Sequence, residues 1–148
     1  MATAPTKVTP YLCCKNAAQA IEFYVKAFGA EELFRLAEPS GKIGHAEIKI
    51  GDAQLMLSDE YPDFGALSVP SIGGCPVVLH LYVANVDAFV ERAVKAGATL
   101  LRPVKDEFYG DRTGQIADPF GYKWMIATQT ENVSPAQMQD RWSKMLAG

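Results

Sequence analysis

Apolar residues between Ala17 and Phe28 fall at Ala17, Ala20, Ile21, Tyr24, Val25 and Phe28. That i, i+3, i+4, i+7, i+8, i+11 spacing paints one stripe along a helix. Asn16 is placed to cap it and Gly29 to end it. The pattern returns at Val86, Phe89, Val90, Ala93 and Val94, again after an Asn (Asn85) and before a Gly (Gly97). The correspondence extends to single residues: Asn16, Glu22, Val25, Lys26 and Ala27 match Asn85, Glu91, Val94, Lys95 and Ala96, and Gly29-Ala30 matches Gly97-Ala98 after a one-residue slip. Gly44 and Gly51 correspond to Gly114 and Gly121. Such a duplication constrains architecture more firmly than local propensity does.

Short β-rich runs bounded by Gly, Pro or Asp predict strands at Val8–Cys14, Glu31–Ala37, Gly44–Ile50 and Ala53–Ser58. In the second half they predict Val77–Val83, Thr99–Val104, Gly114–Ala117 and Lys123–Thr128. Residues 59–76, with Pro62, Gly65, Pro70, Gly73 and Gly74, read as an irregular linker. Ser134-Pro135-Ala136-Gln137 supplies an N-cap, a proline at the first helical position and a capping-box Gln, so a closing helix runs from 134 to 146 with Met138, Trp142 and Met145 on one side. The fold class is therefore α+β: two βαβββ repeats, about 7–58 and 77–129, in a single domain spanning 1–148. Each repeat covers one face of a curved mixed sheet with its helix, and the remaining faces form a concave cup.

Of 148 residues, 49% are hydrophobic and 21% charged, enough for one sizeable core. A net charge of −3 and no basic run remove the electrostatic footprint of nucleic-acid or anionic-membrane binding. No stretch approaches the roughly 18 apolar residues of a membrane helix, and the N-terminus has no apolar signal segment, so the expected location is the cytoplasm. Cys13, Cys14 and Cys75 lack metal-site spacing and read as reduced thiols.

The paired repeat, its Asn-capped helices and the turn Asp118-Pro119-Phe120-Gly121 resemble the vicinal oxygen chelate superfamily, which includes glyoxalase I, extradiol dioxygenases, fosfomycin-resistance enzymes and bleomycin-resistance proteins. Thr9-Pro10-Tyr11-Leu12, Ala20-Ile21-Glu22-Phe23-Tyr24, His45-Ala46-Glu47, Leu79-His80-Leu81-Tyr82-Val83 and Gly110-Asp111-Arg112 are most similar to its PhnB-like branch, over about residues 7 to 130. Catalytic members hold a divalent metal with side chains from the first and last strands of each repeat. The resemblance carries those positions onto Thr9, Leu55, Val78 and Met125, and none of the four is a competent ligand. The implication is an apolar floor in place of a metal site, and no cofactor.

Residues two apart on a strand share a face, so His45 pairs with Glu47, Tyr11 and Cys13 continue the face of Thr9, and His80 and Tyr82 continue that of Val78. Two His and a carboxylate are in principle able to form a facial triad for iron or manganese; shared strand geometry alone favours ligand-binding or structural polar groups. Arg112 is able to engage a carboxylate or phosphate bidentately, or to pair with Asp111 or another carboxylate at the rim. Gly73-Gly74 has no following P-loop lysine, and neither His sits in a nucleophile motif. The leading expectation is a homodimeric, metal-free protein that sequesters a small aromatic or apolar compound. Its candidate ligand-binding residues are Tyr11, His45, Glu47, Leu55, His80, Tyr82, Arg112 and Met125. The alternatives are a metal-dependent lyase, isomerase or dioxygenase using His45, Glu47 and His80, or an interaction protein whose cup is filled with side chains.

Overall fold

A computed structural model describes residues 3–148. The chain divides into two units, 1–74 and 75–148, each built on a four-stranded mixed sheet. In the first unit the elements are β1 (Tyr11–Cys14), α1 (Ala17–Phe28), β2 (Glu31–Ala37), β3 (Ile43–Ile50) and β4 (Ala53–Asp59). Its strand order is β1-β4-β3-β2, with β1 parallel to β4 and the other neighbours antiparallel. A 3-10 turn (Pro62–Phe64) and the single-turn α2 (Val69–Ile72) follow. The second unit repeats the order with β5 (Val78–Tyr82), α3 (Val86–Ala96), β6 (Thr99–Asp106), β7 (Asp111–Ala117) and β8 (Lys123–Gln129), arranged β5-β8-β7-β6, and adds α4 (Pro135–Ala147).

Both long sheet-covering helices start by the same chemistry. The Asn16 side chain accepts the Gln19 N–H at 3.1 Å, and Asn85 accepts the Ala88 N–H at 3.1 Å. A second acceptor comes from the end of the last strand: an Asp59 carboxylate oxygen takes the Ala17 N–H at 2.8 Å, and the Thr128 hydroxyl takes the Val86 N–H at 2.9 Å. Gly29, with φ of 68°, ends α1 in the left-handed conformation that a side chain would strain. The cores lie between helix and sheet. Ala20, Ile21, Tyr24 and Phe28 pack over Leu12, Ile48, Leu55 and Leu57 in the first unit; Val86, Val90 and Ala93 pack over Ile116 and Ile126 in the second. Phe23 is buried and Val25 is not, because Phe23 packs edge-on against Tyr24 and Phe28 at ring distances of 5.5 and 5.7 Å.

Several boundaries differ from the sequence reading. β1 begins at Tyr11 rather than Val8, since Pro10 has no N–H to donate; its carbonyl accepts the Met56 N–H instead. β7 begins at Asp111, three residues earlier than expected, and β6 extends to Asp106. The linker is not structureless: the Glu60 carboxylate accepts the Ser68 N–H at 2.8 Å and the Ser68 and Ser71 hydroxyls, which together hold its carboxyl down at about 2. α4 opens with the expected Ser134–Gln137 capping box. Among the described residues, no helix is long and apolar enough to cross a membrane.

Candidate functional site

The helix takes one face of each sheet, and alternation sends the intervening side chains to the open face. Across the first sheet the register aligns Tyr11, Met56, Glu47 and Phe34 in one row. The equivalent row of the second sheet is His80, Met125, Gln115 and Arg102. One step along, Tyr82, Ala127, Thr113 and Lys105 form a parallel row.

On the first open face the polar groups satisfy one another. His45 Nε2 lies 2.8 Å from a Glu47 oxygen, and its Nδ1 lies 2.8 Å from the Tyr11 hydroxyl. Gln54 donates to the other Glu47 oxygen. An ionised carboxylate only accepts, so Nε2 donates to Glu47, and Nδ1 shares the remaining hydrogen bond with the Tyr11 hydroxyl. Tyr11 itself is half-exposed at the edge of this group. Phe34 flanks it, its ring 5.8 Å from that of His45.

The second open face is less closed. His80 stacks on Tyr82 at 4.8 Å, and the Tyr82 hydroxyl donates to the buried Asp111 at 2.6 Å, a bond that raises its phenol above the ordinary range. On the same sheet lies a cleft of about 330 Å³ with Met125, the strand partner of His80, in its lining and Thr113, Gln115, Tyr109, Arg102 and Lys105 around it. Burial pushes the Tyr109 phenol up, against the opposing effect of the neighbouring Thr113 side chain.

Two sequence expectations are corrected by position. Leu55 does not face the open side: it is buried against α1, and Met56 occupies the open-face row. The two β-turns explain the slip, since Ile50 pairs with Ala53 across a two-residue turn while Ala117 pairs with Lys123 across five residues. Counting equally from Gly51 and Gly121 therefore lands on opposite faces. Arg112 also lies on the helix side. It grips Asp87 of α3 with Nε and Nη2 at 2.9 and 3.0 Å, and Asp106 with Nη1 at 3.2 Å. Those bonds hold the guanidinium charged and occupy its fork, leaving the rim pairing and not ligand capture.

His45 and Glu47 do share a face, as alternation requires; His80, Tyr82 and Met125 stand together on the second sheet. Gln54, Met56, Gln115, Arg102 and Lys105 were not anticipated. The parallel β1–β4 register places Met56 opposite Tyr11, and the pairing of β7 with β8 places Gln115 opposite Met125.

The donor set does not fit the family's divalent metal. In the first and last strands Tyr11 faces Met56 and His80 faces Met125, so His80 supplies the one imidazole. Both nitrogens of His45 and both oxygens of Glu47 are already bonded to protein groups. No group of three or more His, Cys, Asp or Glu among the described residues is arranged to hold a metal ion.

With duplicated sheets, Asn-capped helices and mixed open faces in view, the class is defined: the family model for the Glyoxalase/Bleomycin resistance protein/Dioxygenase superfamily matches residues 6–126, and the chain belongs to that family. The uncharacterised protein Mb0911c of Mycobacterium bovis is 42% identical over 135 residues, covering 89% of each chain. The Arabidopsis thaliana gene product At5g48480 superposes with a TM-score of 0.67 at 25% identity, covering 84% of this chain and 99% of its own. A PhnB protein from Bacillus cereus shares the fold with a TM-score of 0.64 at 17% identity, covering 83% and 99%.

Proposed function

We propose that this chain is a small-molecule-binding member of the family that works without a chelated metal, within its PhnB-like branch. It holds a partly aromatic compound on the open face of the second sheet, in the cleft that Met125, Tyr109 and Gln115 line, with His80 on the strand beside Met125. The observation that carries the reading is the cleft of about 330 Å³ beside Met125, a size and mixed character that suit a small organic ligand. The Tyr11–His45–Glu47 group offers a separate polar contact on the first sheet, with Tyr11 half-exposed.

The test is calorimetric titration of chelator-dialysed protein with a panel of small neutral aromatics. Met125→Glu should abolish binding of any hit, because an unpaired carboxylate in the cleft opposes an apolar ring. His80→Ala should weaken it by about 1–2 kcal/mol, the value of one polar contact. Unchanged affinity in both variants, with circular dichroism intact, overturns the reading.

A further inference from the structure

We infer that the cleft of the second unit is built to receive a small organic monocarboxylate, with Arg102 and Lys105 holding the anion, Gln115 orienting it and Met125 meeting its apolar body. This inference rests on the reading that the second open face binds ligand, and adds the chemistry of what is bound.

The first support is backbone geometry. Arg102 and Lys105 are three apart on β6, and in a regular strand they would point to opposite faces. Their partners on β7 are Gln115 and Thr113, only two apart, so an extra residue is accommodated between them. That bulge brings both cations onto the open face, the kind of re-aiming that bulges produce beside sites. Pro103 lies in it, as an edge strand allows. Val104 turns the other way and rests on Gly114, where an added Cβ would come within 2.8 Å of Val104 Cγ2. The absence of a side chain at Gly114 thus makes room for the bulge.

The second support is the polar inventory. Gln115 is only 8% exposed, and its amide makes no hydrogen bond to any described residue. No fully enclosed side-chain nitrogen or oxygen among the described residues lacks a partner, so the amide tip reaches the cleft rather than dead core. A buried amide without a partner is costly, and one opening on a cleft is a ready donor and acceptor. Arg102 has no ion pair among the described residues, while Lys105 reaches Glu107 at 4.0 Å. Glu107 also accepts the Thr113 hydroxyl at 3.3 Å. Two cations against one carboxylate leave the lining one charge positive, which suits a monoanion and disfavours a dianion placed near Glu107. A planar carboxylate has two oxygens to share between the guanidinium and the Gln115 amide.

The experiment compares phenylacetate with phenylacetamide, equal in shape and different in charge, by calorimetry on the full chain. Phenylacetate should bind at least about tenfold more tightly, and the difference should shrink as sodium chloride is raised. Arg102→Gln should bring the two probes within about threefold of each other, and Gln115→Leu should weaken both. Equal affinity for the two probes, or a preference that persists in Arg102→Gln, overturns the inference. If neither probe binds while neutral aromatics still bind in a Met125-dependent way, the carboxylate assignment is wrong and the binding reading stands. If Met125→Glu changes nothing for any compound, both fall.

Discussion

Asp118 illustrates how one side chain secures a turn and a strand together. Its Oδ1 accepts the Phe120 N–H at 2.9 Å and the Tyr122 N–H at 3.0 Å, and its Oδ2 accepts the Trp124 indole N–H at 2.9 Å. The carboxylate is buried, and so is the indole. Asp118→Ala strands three donors and should cost about 3 kcal/mol, read as a lower urea midpoint at unchanged m-value; a loss below about 1 kcal/mol would show that water replaces the carboxylate. The Asp-Pro-x-Gly string marks the turn in the sequence, but the indole bond depends on where Trp124 points, which no local pattern states. Arg112 teaches the same lesson in reverse. Its position after Gly110-Asp111 invites a ligand role, and only the placement of Asp87 on α3 shows that its fork is already engaged.

At the scale of elements, helices and strands were legible because capping residues and apolar periods are local. α1 and α3 keep their Asn caps and Gly ends, and all eight strands overlap their expected spans, β1 being shortened by Pro10 and β6 and β7 lengthened where they pair. Which side a strand residue faces is a more fragile inference, since one residue of slip inverts every side chain. Leu55 and Met56 were exchanged by a difference in turn length, and Lys105 was turned by a bulge. The bulge makes its own prediction. Gly114→Ala should destabilise the protein by about 1–3 kcal/mol through overpacking against Val104. Amide shifts in a nitrogen-proton spectrum should concentrate on β6 around residues 102–105; wild-type stability and an unmoved β6 would mean that the bulge is not held by this contact.

For the whole molecule, the duplication lets the two open faces be compared residue by residue. The first has drawn its polar groups into a self-satisfied chain, Gln54 to Glu47 to His45 to Tyr11. At the matching position of the second, Gln115 replaces Glu47 in the row and is left without a partner among the described residues. Repeat alignment revealed the architecture, while this divergence emerges only once strand register is known. The exposed aromatic and aliphatic residues Trp142, Met145 and Leu146 on α4 give the chain an apolar surface of the kind that self-association covers. A homodimer is the expected state: sedimentation at micromolar concentration should give twice the 16.1 kDa chain mass, and a monomer would count against it.

Ligand binding on an open sheet face without a chelated metal can be read by methyl NMR of protein labelled at methionine and dialysed against a chelator. Met125 lies on the second open face, whereas Met138 and Met145 lie on α4. A small aromatic compound that binds should move the Met125 methyl resonance, leave those of Met138 and Met145 in place, and act equally before and after chelation. A response confined to the α4 methionines, or one that vanishes when metal is removed, would place the ligand elsewhere or make its binding metal-dependent.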